Sequence, residues 1–470
     1  MADIKIFNTL SKKKETFKPL KQGEVLIYHC GPTVYWTQHI GNMRGMAMAD
    51  LIVRTFQYNK YKLTLVRNYT DVGHMTSDQD EGEDKMEKAA KRDDMQPEQI
   101  AQKYIKIFED DLKELNMRPA DYKPKATETI PEIITMVQTL LSTGYAYNTP
   151  LAIYFDVSKA KNYSRLSRQK IEKNIKEAGK GEVSDPQKKH PADFALWFFK
   201  AGQHKNALQF WASPFKSPLT EDGNGFPGWA IECSAMAKKF LGLTIDIHMG
   251  GIEHIPVHHT NEIAQSEAAN GVEFVHYWLH NEHLMVNGQK MSKSQGTGYA
   301  LSEIKEKGFE PLTLRYFFLQ SHYRSKQNFT WEALTAAQSG YQSLKEQVSE
   351  LGSKKGKVNL DFKNKFLDKI NDDFNVPSGV AVVYEVLKSK LSSNDKLATI
   401  IDFDQVLGLQ LNKIKKEKID LPATIKKLIS ERKQARQEKN WQLSDELRDK
   451  ISVLGFKVED TQDGQKISKN

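Results

Sequence analysis

Two short segments of this chain combine residue types suited to holding a nucleoside triphosphate. The first runs from Cys30-Gly31-Pro32-Thr33-Val34-Tyr35 to His39-Ile40-Gly41-Asn42. If it lies between a strand end and a helix start, free backbone N–H groups and the helix dipole favour phosphate, glycine lets it approach, and imidazole donates to its oxygens without a fixed charge. An ordinary structural turn accounts for that segment equally well in isolation. The second is Lys290-Met291-Ser292-Lys293-Ser294, followed by Gln295-Gly296 and preceded by the turn pair Asn287-Gly288. Lysines on such a hairpin-like loop can close over a triphosphate and stabilise the charge that develops as pyrophosphate leaves. A solvated surface loop is the bland reading of the second segment alone; the pairing of both is far more specific.

The elements around them must bring the two together. Val25 to Cys30 is a short apolar run that predicts a buried strand ending at Gly31-Pro32. From Gly41 to Tyr58, Met43, Met46, Ala47, Leu51, Ile52 and Phe56 recur at helical spacing, and Tyr61 to Val66 reads as the next strand. One βαβ unit with a parallel sheet follows, and its ligands belong beyond the carboxyl ends of the strands, where the segment after Cys30 lies. Residues 77–94 carry both charge signs densely and predict an exposed, polar, helix-prone segment outside the core. Lysine runs and Gly-Pro-rich stretches from about 120 to 222 suggest an inserted module. A helix over Glu232–Phe240 and a strand over Leu243–Ile247 resume the parallel sheet. Beyond Leu312 a helical bundle is expected to about residue 410, broken at Asn375-Val376-Pro377. A lysine-rich stretch, Lys413 to Lys418, then leads to a small unit with helices near 423–438 and 441–454 and a strand at Phe456–Val458.

The 470 residues suffice for several domains, and 39% hydrophobic with 27% charged residues exclude a disordered or low-complexity chain. Two cysteines exclude a disulfide framework and fit a reducing compartment. The start of the chain lacks the apolar core of a signal peptide, and no window approaches a membrane-spanning length, so an unanchored cytoplasmic protein is expected. Net charge is +8; the last sixty residues hold fifteen Lys/Arg against ten Asp/Glu, which places +5 there. That end suits a polyanion or is a solvated helical surface.

The two signature segments resemble the paired signatures of class I aminoacyl-tRNA synthetases. Gly228-Trp229-Ala230-Ile231-Glu232-Cys233-Ser234-Ala235-Met236, Asp246-Ile247-His248-Met249-Gly250-Gly251 and His258-His259-Thr260-Asn261-Glu262 resemble those of the cysteinyl-tRNA synthetase family. The likeness spans essentially the whole chain, including Asn371 to Pro377 and the terminal Ala435-Arg436, Ser444 to Arg448, Gly455 and Glu459 to Thr461. It implies an α/β fold: a Rossmann-type parallel-sheet catalytic domain (1–124 and 223–262) with an inserted connective module (125–222). A junction domain with the lysine signature (263–335), a helical bundle (336–410) and a small mixed α/β anticodon-binding domain (411–470) would follow. It further implies a cytoplasmic monomer that forms cysteinyl-adenylate from cysteine and ATP with Mg²⁺, then charges the terminal ribose of tRNA(Cys).

The resemblance also implies one zinc ion per chain on Cys30, Cys233, His258 and Glu262, with His258 and Glu262 at i and i+4 on one helix face. His259 is the adjacent rival ligand. Such an ion would select a thiol over a hydroxyl or methyl, with no editing domain needed. His39, Lys290 and Lys293 would be the catalytic groups. Gly41, Asn42, His248, Gly250, Gly251 and again Lys293 would bind ATP, and Gly31, Thr70 and Trp229 the substrate cysteine. Arg432, Lys433, Arg436 and Arg448 are the tRNA candidates, with solvated helix faces as their ordinary reading.

Asn42 replaces the usual last histidine of the first signature. Ala230, Val257, Thr260 and the run Val72-Gly73-His74-Met75 alter the pocket surroundings, and Ile467 stands where tryptophan is usual. Two other functions stay open at this point: a cysteine ligase with an amino-sugar acceptor, against which residues 411–470 argue, and an RNA-binding paralogue with a dead site, against which Lys290, Lys293 and the four ligands argue.

Overall fold

The computed structural model describes residues 3–73, 85–169, 185–291, 297–354, 356–414, 421–461 and 464–469. Two compact units divide the chain, residues 1–413 and 414–470. The first is built on a four-stranded sheet in the order Val275–Asn281, Ile245–Gly251, Glu24–His29, Lys62–Arg67, every neighbouring pair being parallel. The apolar run before Cys30 therefore forms an interior strand, and the helix Ile40–Tyr58 is its crossover to Lys62–Arg67.

Register and alternation decide what each face of the sheet carries. Tyr28, His248 and Trp278 stand side by side on three adjacent strands. Side chains two residues apart share a face, so Cys30, Gly250 and His280 follow on that side toward the carboxyl ends. The helices Trp229–Leu241 and His258–Asn270 pack over it; Cys233, Met236 and Ile263 share a core with Tyr28, Val275 and Trp278. On the opposite face His29, Met249 and Leu279 meet Met48 and Ile52 of the crossover helix.

Within residues 146–227, Ala146–Asn148, Ala152–Phe155, Phe194–Phe199 and Gly225–Pro227 form an antiparallel sheet that packs on Ile133, Met136 and Leu140 of the helix Ile130–Ser142. Helices dominate after residue 310, at Pro311–Leu319, Trp331–Glu350, Leu360–Ile370, Val376–Lys388 and Ser393–Leu407. The break expected at Asn375 is the N-cap of the fourth, where its side chain accepts from Ser378 N–H. A short strand, Gln327–Phe329, interrupts the expected helical stretch and pairs parallel with Leu284–Val286.

A node of buried charge ties this helical region to the crossover helix. Asp50 Oδ2 accepts from Arg315 Nη2 and Arg54 Nε, each at 2.7 Å, and Oδ1 accepts from Arg118 N–H at 2.8 Å. Burial alone would raise the Asp50 carboxyl; the Arg315 and Arg54 guanidiniums outweigh it and hold the group below its ordinary value.

One expectation is corrected. The highly charged segment was expected to lie outside the core, yet in its described part, the helix Lys85–Asp93, Met86, Ala89 and Ala90 are buried. Their i, i+3, i+4 spacing makes an apolar stripe among the charges. No described helix is long and apolar enough to cross a membrane.

In the second unit the helices Ala423–Gln437 and Trp441–Val453 precede the antiparallel hairpin Phe456–Thr461 and Gly464–Lys469. Ile425, Ile451, Phe456 and Val458 form its small core.

Candidate active site

Three elements deliver four ligand atoms to a single point. Cys30 follows the strand Glu24–His29, Cys233 stands on the helix Trp229–Leu241, and His258 and Glu262 occupy the first turns of His258–Asn270. All four residues are buried, and their ligand atoms lie within 4.8 Å of one another. His258 Nε2 is 3.2 Å from Glu262 Oε1, and Cys30 Sγ is 4.0 Å from the same oxygen. Both cysteines are free thiols. Two sulfurs, an imidazole nitrogen and a carboxylate oxygen are the donors four-coordinate zinc accepts, whereas Mg²⁺ and Ca²⁺ prefer oxygen alone.

The set Cys30, His248, His259 and Glu262 meets the same distance limit. Its histidines are engaged otherwise. His248 Nε2 donates to Glu262 Oε2 at 2.9 Å, while its ring stacks on Trp278 at 4.6 Å. His259 Nε2 lies 3.4 Å from Cys30 Sγ, His259 Nδ1 lies 2.7 Å from His280 Nε2, and His280 Nδ1 lies 2.8 Å from Thr9 Oγ1. With Cys30 as a thiolate, one set of tautomers satisfies this chain: Thr9 O–H donates to His280, His280 Nε2–H to His259, and His259 Nε2–H to sulfur. With Cys30 as a thiol every donor reverses. His259 thus bridges the Cys30 sulfur and His280.

Burial dominates the electrostatics of this cluster. Burial pushes the Cys30 thiol well above its ordinary value, and its hydrogen bond with Cys233 and the nearby Glu262 charge add to this. Burial pushes His259 well below its ordinary value, the surrounding imidazoles adding to it, and burial does the same to His280.

Cys30, Cys233 and His258 line a cleft of about 360 Å³. Gly31, Thr70 and Trp229 line it beside them, and His39, Gly41, Asn42, Gly250, Gly251 and Lys290 line the remainder. The Trp229 ring lies 4.2 Å from that of His258 and so fixes the ligand imidazole. Gly31 is required by crowding, since a Cβ there would come 1.7 Å from the Asn68 carbonyl oxygen. Gly250 makes room for the histidine chain: a Cβ there would lie 2.6 Å from the His259 ring. His248, expected at the nucleotide, is fully buried, and its Nε2 reaches Glu262 Oε2.

His39 is the N-cap of Ile40–Tyr58. Asn42 N–H donates to His39 Nδ1 at 3.2 Å, and Asn42 Oδ1 accepts from His39 N–H at 3.3 Å. Asn42 therefore closes a reciprocal cap, and His39 Nε2 carries the ring proton. Lys290 ends the hairpin of Leu284–Val286 and Gln289–Lys290. Lys293 and the rest of its loop, 292–296, lie outside the described residues, as do His74 and Met75. Beyond that loop the chain returns to the first signature, with Ile40 N–H donating to Tyr299 O at 2.8 Å. Sequence reasoning missed Arg44, whose buried guanidinium donates to Gln327 Oε1, Ser325 O, His322 O and Glu282 O and so joins the start of the helix to segments on either side of the lysine signature. An arginine inside an otherwise apolar stripe was its one visible signal.

In the second unit the tRNA candidates divide. Arg432 is 0% exposed and holds Asp460 with both terminal nitrogens, at 2.8 and 2.9 Å. Its charge is not offered at the surface. Arg436 at 3.0 Å and Arg448 at 3.4 Å share that carboxylate from more exposed positions, and Lys433 is exposed. These guanidiniums, Arg432 foremost, hold Asp460 below its ordinary value. Trp441, which sequence reasoning also passed over, is 56% exposed, with Arg436 5.4 Å from its ring centroid. A large aromatic residue opening a polar helix was the available signal.

Residues 16–339 match the model of the class I (C) tRNA synthetase catalytic domain, and residues 419–467 match that of the cysteinyl-tRNA ligase anticodon-binding domain. A cysteine–tRNA ligase of Burkholderia lata is 41% identical over 465 residues, covering 99% of this chain and 96% of that protein. One from Treponema denticola is 39% identical over 490 residues, covering 97% and 98%. The methionyl-tRNA synthetase of Mycobacterium tuberculosis in complex with methionyl-adenylate shares the fold, with a TM-score of 0.55 at 13% identity over 82% of this chain and 90% of that one.

Proposed function

The chain belongs to the cysteine–tRNA ligase family of class I aminoacyl-tRNA ligases, and from there we propose that it activates cysteine with ATP and transfers the cysteinyl group to tRNA(Cys). The substrate carboxylate attacks the α-phosphorus of ATP, pyrophosphate leaves with the bonding electron pair, and a terminal ribose hydroxyl then displaces AMP from the adenylate. No enzyme nucleophile is needed; positioning and charge stabilisation carry the rate.

His39 Nε2–H donates to a phosphate oxygen, with Asn42 holding its tautomer. Lys290 and Lys293 neutralise the leaving pyrophosphate alongside Mg²⁺. Gly41, Gly250 and Gly251 let the nucleotide lie against backbone. Thr70 and the backbone at Gly31 hold the substrate's amino-acid end. Cys30, Cys233, His258 and Glu262 would hold one zinc ion, which supplies a soft Lewis acid that distinguishes a thiolate from a hydroxyl or methyl. His248 orients Glu262, Trp229 orients His258, and the chain from Thr9 through His280 and His259 orients the Cys30 sulfur. Lys433, Arg436, Arg448 and Trp441 meet the anticodon loop by charge and stacking, and Arg432 holds their framework through Asp460. The same proposal includes the six-part division at 124, 222, 262, 335 and 410, a monomeric state and a cytoplasmic location.

The reading is supported above all by one juxtaposition: of four converging zinc-type donors, Cys30, Cys233 and His258 line the same cleft as His39 and Lys290. Cysteine-dependent ATP–pyrophosphate exchange tests the first half and charging of tRNA(Cys) the second. Both are expected with cysteine, with serine slower by about 10⁴-fold or more. Absence of exchange would make the chain an inactive paralogue; exchange without charging would move the acceptor away from tRNA.

A further inference from the structure

On the rim of the cleft stands an aromatic residue with no part in the chemistry above. Trp36 is 40% exposed, although its neighbours Tyr35 and Gln38 both line the cleft. Gln38 Nε2 donates to the backbone oxygens of Thr33 and Trp36, each at 3.2 Å, and so braces the loop from the cleft side. The Arg92 guanidinium carbon lies 3.9 Å from the indole centroid. That guanidinium is itself fixed: Nε donates to Asp93 Oδ1 at 2.6 Å and Nη2 to Tyr104 Oη at 2.8 Å. Asp93 is anchored in turn by Lys103 at 2.8 Å. Lys88 and Lys91 are exposed on the helix that carries Arg92, and Lys88 lies one turn before it on the same face.

We propose that Trp36 and Arg92 form a stacking platform for an unpaired nucleotide at the acceptor end of the tRNA, with Lys88 and Lys91 meeting its phosphates. The inference rests on the ligase reading. A terminal ribose can reach the reactants only if the last unpaired nucleotides cross the rim of the cleft. Single-stranded RNA is held by aromatic faces and cationic groups together, because every base has a π-face and every linkage a negative charge. A guanidinium held against the indole makes the platform rigid before RNA arrives, which lowers the entropy lost on binding.

The test uses the full chain and two variants, Trp36→Ala and Trp36→Phe. Trp36→Ala is expected to lower kcat/KM for tRNA charging about tenfold through KM, the size of one lost base stack, while cysteine-dependent exchange stays within about twofold. Trp36→Phe should recover most of the loss. Binding of a tRNA that lacks its unpaired 3′ nucleotides should be the same for wild type and Trp36→Ala. Three results would overturn the platform: unchanged charging by Trp36→Ala, exchange falling in step with charging, or equal weakening for intact and truncated tRNA. A wild-type protein without exchange would remove the ligase reading itself, and the binding comparison would still judge the platform.

Discussion

The first unit buries two clusters of polar groups, and they handle charge in opposite ways. Around Asp50 the charges answer one another: Arg315 and Arg54 sit on one carboxylate oxygen, Arg118 N–H reaches the other, and Arg315 also donates to the Leu407 carbonyl oxygen. Around Cys30 the groups are thiols, a carboxylate and imidazoles, and burial pushes the Cys30 thiol up and the His259 imidazole down. The first cluster is complete as folded and serves to join the crossover helix to the helices beyond residue 310. The second gathers two sulfurs, imidazole nitrogens and a carboxylate, a donor set that suits a metal ion. Burial and charge alone do not mark a functional site; the donor set does.

The largest effect tests the completeness of the first cluster. Arg315→Met leaves Asp50 charged and buried, and it is expected to cost about 3–5 kcal/mol in urea unfolding without touching metal content. Adding Asp50→Leu should recover part of that loss. A cost below about 1 kcal/mol would make the two clusters alike. The pH dependence has a definite sign. Asp50 is held below its ordinary value, so its contribution is present above the normal aspartate range and is lost as the pH falls through the lowered folded value. Acid titration of the circular dichroism signal should show the Arg315→Met variant losing part of this acid-range dependence.

The next effect sharpens the second cluster. His280→Phe breaks the chain between Thr9 and His259 while leaving all four proposed ligands in place. Zinc retention against a competing chelator is expected to weaken about 10- to 100-fold, with little change in urea stability. Unchanged retention would reduce the histidine chain to packing.

The smallest effect concerns an intermediate case in the second unit, where Asp460 is partly exposed and gathers three arginines. Asp460→Asn should cost about 1 kcal/mol, because solvent screens part of the pairing. It should also weaken tRNA binding in gel-shift assays by releasing Arg436 from its fixed position. A loss as large as that of Arg315→Met would mean that this node, too, is fully buried in effect.

Much of this was legible in the residues. The strand before Cys30, the crossover helix and the strand after it follow from apolar spacing, and the i, i+4 separation of His258 and Glu262 places both on one helix face. The meeting of Cys30 with Cys233 was legible only through family resemblance, because 203 residues separate them and no local pattern encodes the register that joins Glu24–His29 to Ile245–Gly251. The chain Cys30–His259–His280–Thr9 was hidden for the same reason. Arg432 and the helix Lys85–Asp93 misled in another way: charge reads as surface, yet a guanidinium held by a carboxylate on a neighbouring strand, or a stripe of Met86, Ala89 and Ala90 among lysines, lies inside. The strands Gln327–Phe329 and Gly464–Lys469 escaped notice because one has three residues and the other is largely polar, so neither has a periodic signature.

The central claim is that the buried thiols and their partners form a zinc site. Elemental analysis of the purified full-length protein tests it most directly, alongside circular dichroism of the Cys30→Ala and Cys233→Ala variants. The account predicts about one zinc per chain in the wild type and near none in either variant while the fold persists. A wild-type protein free of zinc, or variants that keep a full equivalent, would contradict it.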